Sequence, residues 1–291
     1  MTRFLDAKIE FATLEEGRAR IAVSDVYTKN LSAFDLSAKT RRPGTLQEHD
    51  YLAHAPDFVR AWTADEVDYL RARLHRLQDR ARALHLDVDL PERIVLVKTT
   101  GFEEGGASGY TRGDNIFLNR TRLSGELVAH ELFHVISRYN PARVSAAYET
   151  LGFTPCNEVS YQSEFRITNP DAPFLRHYLQ VNARGERHDV VLVMVASRPY
   201  DGGSFFRYVH KRLLVVEGDD DAKAVKLVGG HQVLLRFDEA IDLYDQIGRN
   251  TAYNIHQAEV SAEHFEMLMF GHGPIADPSL IQGLHLALQA A

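Results

Sequence analysis

The sequence has 291 residues, 45% of them hydrophobic and 25% charged, an ordinary globular composition long enough to bury a sizeable core without cross-links. A net charge of −7 and an isoelectric point near 6.1 argue against a nucleic-acid partner, which calls for a basic footprint. Cys156 is the single cysteine, which excludes an intrachain disulfide and a thiolate zinc cluster; with no apolar run of 18 residues and no apolar signal core in residues 1–10, the chain is expected to be cytoplasmic and free of the membrane.

From the N-terminus, residues 14–34 carry weak helical patterns and Arg41–Gly44 reads as a loop. Thr63-Ala-Asp-Glu66 is a capping box, and Val67, Leu70, Leu74, Leu77 and Leu84 give the long helix behind it an apolar stripe, ending near Leu86. Residues 1–90 are therefore expected to form a helical N-terminal lobe. Basic residues gather between Arg71 and Arg82, but acids and apolar residues interleave with them, as on a solvated helix face.

Beyond Leu90-Pro91, the β-branched run Ile94–Val97 predicts a short strand. Gly101–Gly109 is rich in glycine but lacks the Gly-Lys-Ser/Thr ending of a phosphate loop, so it is expected to be a hairpin or loop. Asn115–Asn119 then reads as a strand.

The most informative stretch follows. His130-Glu131-Leu132-Phe133-His134 is an HExxH sequence inside the apolar run Leu127–Ile136, where a helix is expected. Residues four apart lie about 40° apart on one helix face, so both imidazoles can reach one ion, while Glu131 stands roughly 100° from His130, beside that ion. This arrangement suits a zinc hydrolase, with the histidines as ligands and the glutamate as general base.

From about Leu123 to Tyr139 the chain resembles the HExxH zinc metallopeptidases. Ser137 and Asn140 stand where the compact HExxHxxGxxH form has its glycine and third histidine, so the resemblance is to the glutamate-ligand, gluzincin-like type. It implies an α+β fold with a zincin-like metallopeptidase core over residues 91–291, a zinc ion, and a peptide or protein substrate. It also implies an edge strand beside the cleft able to hold an extended peptide, a role that residues 115–119 are expected to fill unless that strand is interior.

Two glutamates compete for the third ligand position. Glu158, in Asn157-Glu158-Val159-Ser160, partly resembles the Asn-Glu-x-x-Ser of thermolysin-type enzymes, with the serine one residue early and with strand and turn signals in Gly152–Cys156 and Asn169–Pro173 around it. Glu259 lies in the helical stretch His256–Phe270 and is preferred, with Glu263 one turn on placed to accept a ring N–H of a ligand histidine; His256 is a further alternative. Glu259 is 125 residues beyond His134, which implies a large insertion between two metal-binding helices.

That insertion reads as β-rich over residues 175–237, with strands at Tyr178–Val181, Val190–Ala196, Phe205–Val209, Leu213–Val216 and Gln232–Phe237. Glu217–Asp221 lacks the alternating ligands of a calcium loop and is expected to be a solvated hairpin tip. For transition-state support, Tyr253 is the leading candidate from the loop before the second helix, with Tyr110 and Arg112 as alternatives.

Overall fold

The structure is a computed structural model that describes residues 2–271 and 275–289. It is an α+β arrangement of two large sheets, a two-stranded ribbon and ten α-helices among the described residues. The first sheet takes β1 (Arg3–Phe4), β2 (Ala7–Phe11), β3 (Arg93–Thr99), β4 (Gly109–Arg112) and β5 (Asn115–Asn119) in the order β1-β2-β3-β5-β4. β2, β3 and β5 are parallel, with Leu96 opposite both Phe11 and Ile116, while β4 runs antiparallel to β5 at the edge.

β3 is buried from Ile94 onward because both faces of the sheet are covered. Ile94 and Leu96 face α5 (Ala64–Ala83) and α6 (Gly125–Tyr139), packing with Leu70, Leu74 and Leu132. Val95 and Val97 face the opposite layer, where Ile21, Leu36, Tyr51 and Val59 come from α1 (Leu14–Ile21), α3 (Ala33–Thr40), α4 (Glu48–His54) and the turn after it. A one-turn α2 (Val26–Lys29) completes that layer. The capping box at Thr63 forms with both of its bonds, and α5 stops at Ala83 rather than near Leu86.

Two expectations need correction here. The front of the chain is not wholly helical, since residues 3–11 form strands that hydrogen-bond into the sheet; Ala7, Ile9 and Phe11 alternate with Lys8 and Glu10, a period-two signal. Residues 115–119 form a strand as read, but β5 is interior, and the edge belongs to β4.

α7 (Pro141–Glu149) leads into the second sheet, ordered β11-β10-β9-β8-β6, from β6 (Phe153–Pro155), β8 (His177–Ala183), β9 (Glu186–Ala196), β10 (Val209–Glu217) and β11 (Ala224–Val225). β7 (Arg166–Ile167) adds to β9, and of the short strands β12 (Leu227–Val228), β13 (His231–Gln232) and β14 (Leu234–Leu235) the last pairs β10. Phe205–Arg207 is a 3-10 turn rather than a strand, and residues 232–237 are divided among β13, β14 and another such turn. Leu179, Val190, Leu192 and Leu213 join the same core as α5 and α6, so this sheet is packed into the body of the protein. The chain ends with α8 (Leu243–Ile247), α9 (Gln257–Phe270) and α10 (Pro278–Leu288). No described helix is long and apolar enough to cross a membrane.

The glycine-rich segment is tied to the helical front. Tyr27 and Tyr51 donate to Glu104 at 2.7 and 2.6 Å, and Lys39 pairs with the same carboxylate. Next to it, Glu103 is fully buried, accepts from the Tyr110 hydroxyl at 3.1 Å and leaves Oε2 without a partner; burial pushes its carboxyl up to about 7. A carboxyl raised on folding lowers stability as pH climbs from its ordinary value towards the folded one. Replacing Glu103 by Gln is therefore expected to raise stability by up to about 3 kcal/mol above pH 7 and by little at pH 4, read from urea unfolding at the two pH values.

Candidate metal centre

α6 begins at Ser124, whose hydroxyl accepts from Leu127 N–H at 3.0 Å, and is buried from Val128 to Ile136. Burial follows from its place between the first sheet and α9, and it carries both imidazoles inside the protein. α9 begins at His256 and ends at Gly271, a left-handed residue that accommodates the helix stop. Phe133 and Phe265, with ring centroids 5.7 Å apart, pack the two helices together at the level of the histidines.

His130, His134 and Glu259 converge. One ligand atom from each lies within 4.8 Å of the others: Glu259 Oε2 is 3.1 Å from His130 Nε2 and 3.4 Å from His134 Nε2. His134 is fully buried, yet neither of its ring nitrogens has a hydrogen-bond partner. A buried polar atom left unpaired costs about 1–3 kcal/mol, and a divalent cation shared with the other two residues supplies what Nε2 lacks. The donor set of two imidazoles and one carboxylate suits zinc.

Charge within the cluster follows from the same contacts. Burial alone would lower His130, but Glu259 and Glu263 outweigh it and hold the imidazole well above its usual value. Burial would raise Glu259, and the two histidines instead drive it well below the carboxylate range. Glu263 Oε1 stands 3.4 Å from His130 Nδ1, on the side of the ring away from Glu259, and its other oxygen accepts from Thr251 at 3.0 Å.

Glu131 lies on the wall of a cavity of about 810 Å³ that also reaches His130, Glu263 and Tyr253. Thr111 donates to Glu131 Oε2 at 2.7 Å. Burial, reinforced by the nearby Asp171 carboxylate, holds Glu131 well above the usual carboxylate value. Space for it depends on Gly109, where an added Cβ would stand 2.8 Å from Glu131 Oε1. Tyr253 is exposed on the cavity wall with its ring centroid 6.1 Å from that of His130, and desolvation of the phenol with the carboxylates of Glu259 and Asp171 beside it raises its pKa above the usual value.

Comparison of the chain with protein-family models, with curated proteins and with solved structures returns no match.

The remaining sequence candidates fall elsewhere. Glu158 is exposed and pairs with Arg176. His256 caps α9 instead of offering a free nitrogen: Nδ1 accepts from Ala258 N–H at 3.1 Å, Nε2 faces the Phe174 carbonyl at 3.3 Å, and burial lowers its pKa to about 4. Tyr110 stacks on Phe117 with its hydroxyl on Glu103, and Arg112 is consumed by Asp25 and the carbonyls of Ile21 and Val23.

What the sequence reading missed is the role of the segment Asn169–Pro173, where it found only strand and turn signals. Asn169 donates to Glu259 Oε1 at 2.5 Å, leaving Oε2 to the histidines. Asp171 has a carboxylate oxygen in one group with Glu131 and His134, all within 4.8 Å. Arg138, one turn beyond His134, donates to the carbonyls of His134, Thr111, Pro170 and Asp171. No spacing rule finds these residues, because a side chain on an irregular loop has no periodicity to betray which way it faces. Partners that orient a ligand typically carry 10- to 100-fold in metal affinity, so Asn169→Ala is expected to weaken zinc binding by about that factor in a chelator competition titration while leaving the fold intact.

Proposed function

We propose that the protein is a zinc-dependent hydrolase of the glutamate-ligand metallopeptidase type, cleaving peptide bonds. The observation that carries this reading is the convergence of His130 and His134 from α6 with Glu259 from α9, with His130 and Glu131 on the wall of one cavity. Zinc bound by these three residues supplies a Lewis acid and acidifies water near neutral pH.

The side chains divide the remaining work. Glu131, made more basic by burial and by Asp171, takes a proton from the attacking water and returns one to the departing amine. Thr111 fixes the direction of that carboxylate. Tyr253, still protonated at working pH, donates to the carbonyl oxygen as charge develops on it. Its loop is held by Lys211, which donates to Asn254 Oδ1 at 2.5 Å and to the Ala252 carbonyl at 3.2 Å. Glu263 and Asn169 orient His130 and Glu259.

The test is to load the protein with zinc, measure the metal bound per chain, and assay peptide mixtures beside small esters and amides with and without a chelator. Chelator-sensitive release of peptide fragments is expected. Cleavage of esters alone would point to a non-peptide substrate, and a chain that binds no metal would remove the hydrolase reading.

A further inference from the structure

The cavity is closed at one end, close to the general base. Along β4, the Ser108 carbonyl accepts from Asn119 N–H, so Tyr110 and Arg112 point their backbone groups toward β5 by alternation. Gly109 and Thr111 point theirs outward. At Thr111 both outward groups are taken: its N–H donates to Asp171 Oδ1 at 2.5 Å, and its carbonyl accepts from Arg138 at 2.9 Å. An extended chain laid against this edge can pair at Gly109 but not one step further.

The obstruction is the segment Asn169–Pro173, and it is firmly anchored. Arg138 grips the carbonyls of Pro170 and Asp171, Asn169 is bonded to Glu259, and the preceding Thr168 is tied to Asp35 and to the Asn30 carbonyl. Pro170 and Pro173 fix two of its φ angles. Pro170 and Asp171 also line a second cavity of about 580 Å³ behind, so the segment is a partition across the groove. Glu131 reaches the partition directly, its carboxylate lying between Gly109 and Thr111.

A peptide whose scissile bond is beside Glu131 therefore has room on the partition side for about one or two residues, at the extended-chain rise of ~3.3 Å each. The partition presents a carboxylate there, that of Asp171, grouped with Glu131 and the unpartnered His134. Its nearby cation, Arg138, is spent on four carbonyl oxygens. An acid at a dead end receives an ammonium group rather than a carboxylate.

Resting on the peptidase reading above, we propose that the enzyme acts on polypeptides with a free amino terminus, and that Asp171 accepts the α-ammonium group at the end formed by Asn169–Pro173. Water adds across the amide, the C–N bond breaks, and one or two residues leave from the amino end.

The probe is the hexapeptide Ala-Phe-Leu-Ala-Phe-Ala with its amino end free or acetylated. With the zinc-loaded full-length protein, the free form is expected to be cleaved at least 100-fold more efficiently in kcat/KM, its first products being one or two residues long. Asp171→Asn is expected to shrink the free-to-acetylated ratio at least tenfold, mainly through KM. Binding of both probes to the zinc-loaded Glu131→Gln variant, measured by calorimetry, gives a readout without turnover, with the free form tighter by at least tenfold. Equal cleavage or internal cuts in the acetylated peptide overturn the inference and leave the peptidase reading standing. So does an Asp171→Asn variant that slows both peptides alike, the mark of a residue that only tunes Glu131. If neither peptide is cleaved the peptidase reading is what fails, and the calorimetry still decides the amine site, equal binding or none overturning it.

Discussion

Glu131→Gln protein is expected to bind zinc with its normal stoichiometry and to turn over about 10³-fold more slowly than the parent. The amide keeps the size of the carboxylate and still offers Thr111 an oxygen acceptor at the 2.7 Å position. Glu131 is not a member of the group formed by His130, His134 and Glu259, so the ligand set is untouched. What disappears is the base. Removing this ionisable group also removes the burial penalty and the repulsion from Asp171 that together raise Glu131, so the variant should melt no lower than the parent. Full activity with normal metal content would eliminate Glu131 as the proton acceptor.

Glu259→Ala is expected to fail in the opposite way, losing the metal first. Glu259 has no exposure, and its Oε2 lies 3.1 Å from His130 Nε2 and 3.4 Å from His134 Nε2. Without it, the two histidines of one helix are the only members of that triad left. Zinc affinity should fall by more than the ~10- to 100-fold that loss of an orienting partner costs, and activity should fall in proportion to metal content. Metal analysis of the two variants after dialysis separates the roles: zinc retained without Glu131, zinc lost without Glu259. A variant lacking Glu259 that keeps its zinc would place the third ligand elsewhere, with Glu263 grouped with His130 and Asp171 with His134.

Much of this site was legible in the sequence wherever helical periodicity could do the work. The spacing of His130 and His134 puts them on one face of α6, and the uninterrupted stretch after His256 puts Glu259 and Glu263 one turn apart on α9. Apolar, β-branched runs marked the cores of β3, β8, β9 and β10 as strand. Local pattern failed at Phe205–Arg207, where an aromatic pair looked like strand and is a turn, and at residues 3–11, where a short alternation was passed over. Which strand occupies the edge depends on pairing between β3, β4 and β5, and local pattern does not encode that order. The loop residues Asn169 and Asp171 were invisible for a related reason: their positions are set by Arg138, Thr111 and Glu259, all distant in sequence.

Because the two helices that meet at the histidines are separated by the whole second sheet, synthesis itself delays assembly of the triad. Glu259 is added 125 residues after His134, which at ribosomal rates of about 5–20 residues per second is an interval of roughly 6–25 s. Throughout that interval the nascent polypeptide carries Glu131 and the two imidazoles but not the carboxylate that joins them. On the hydrolase reading proposed above, the metal site cannot close until the chain has been extended through Glu259.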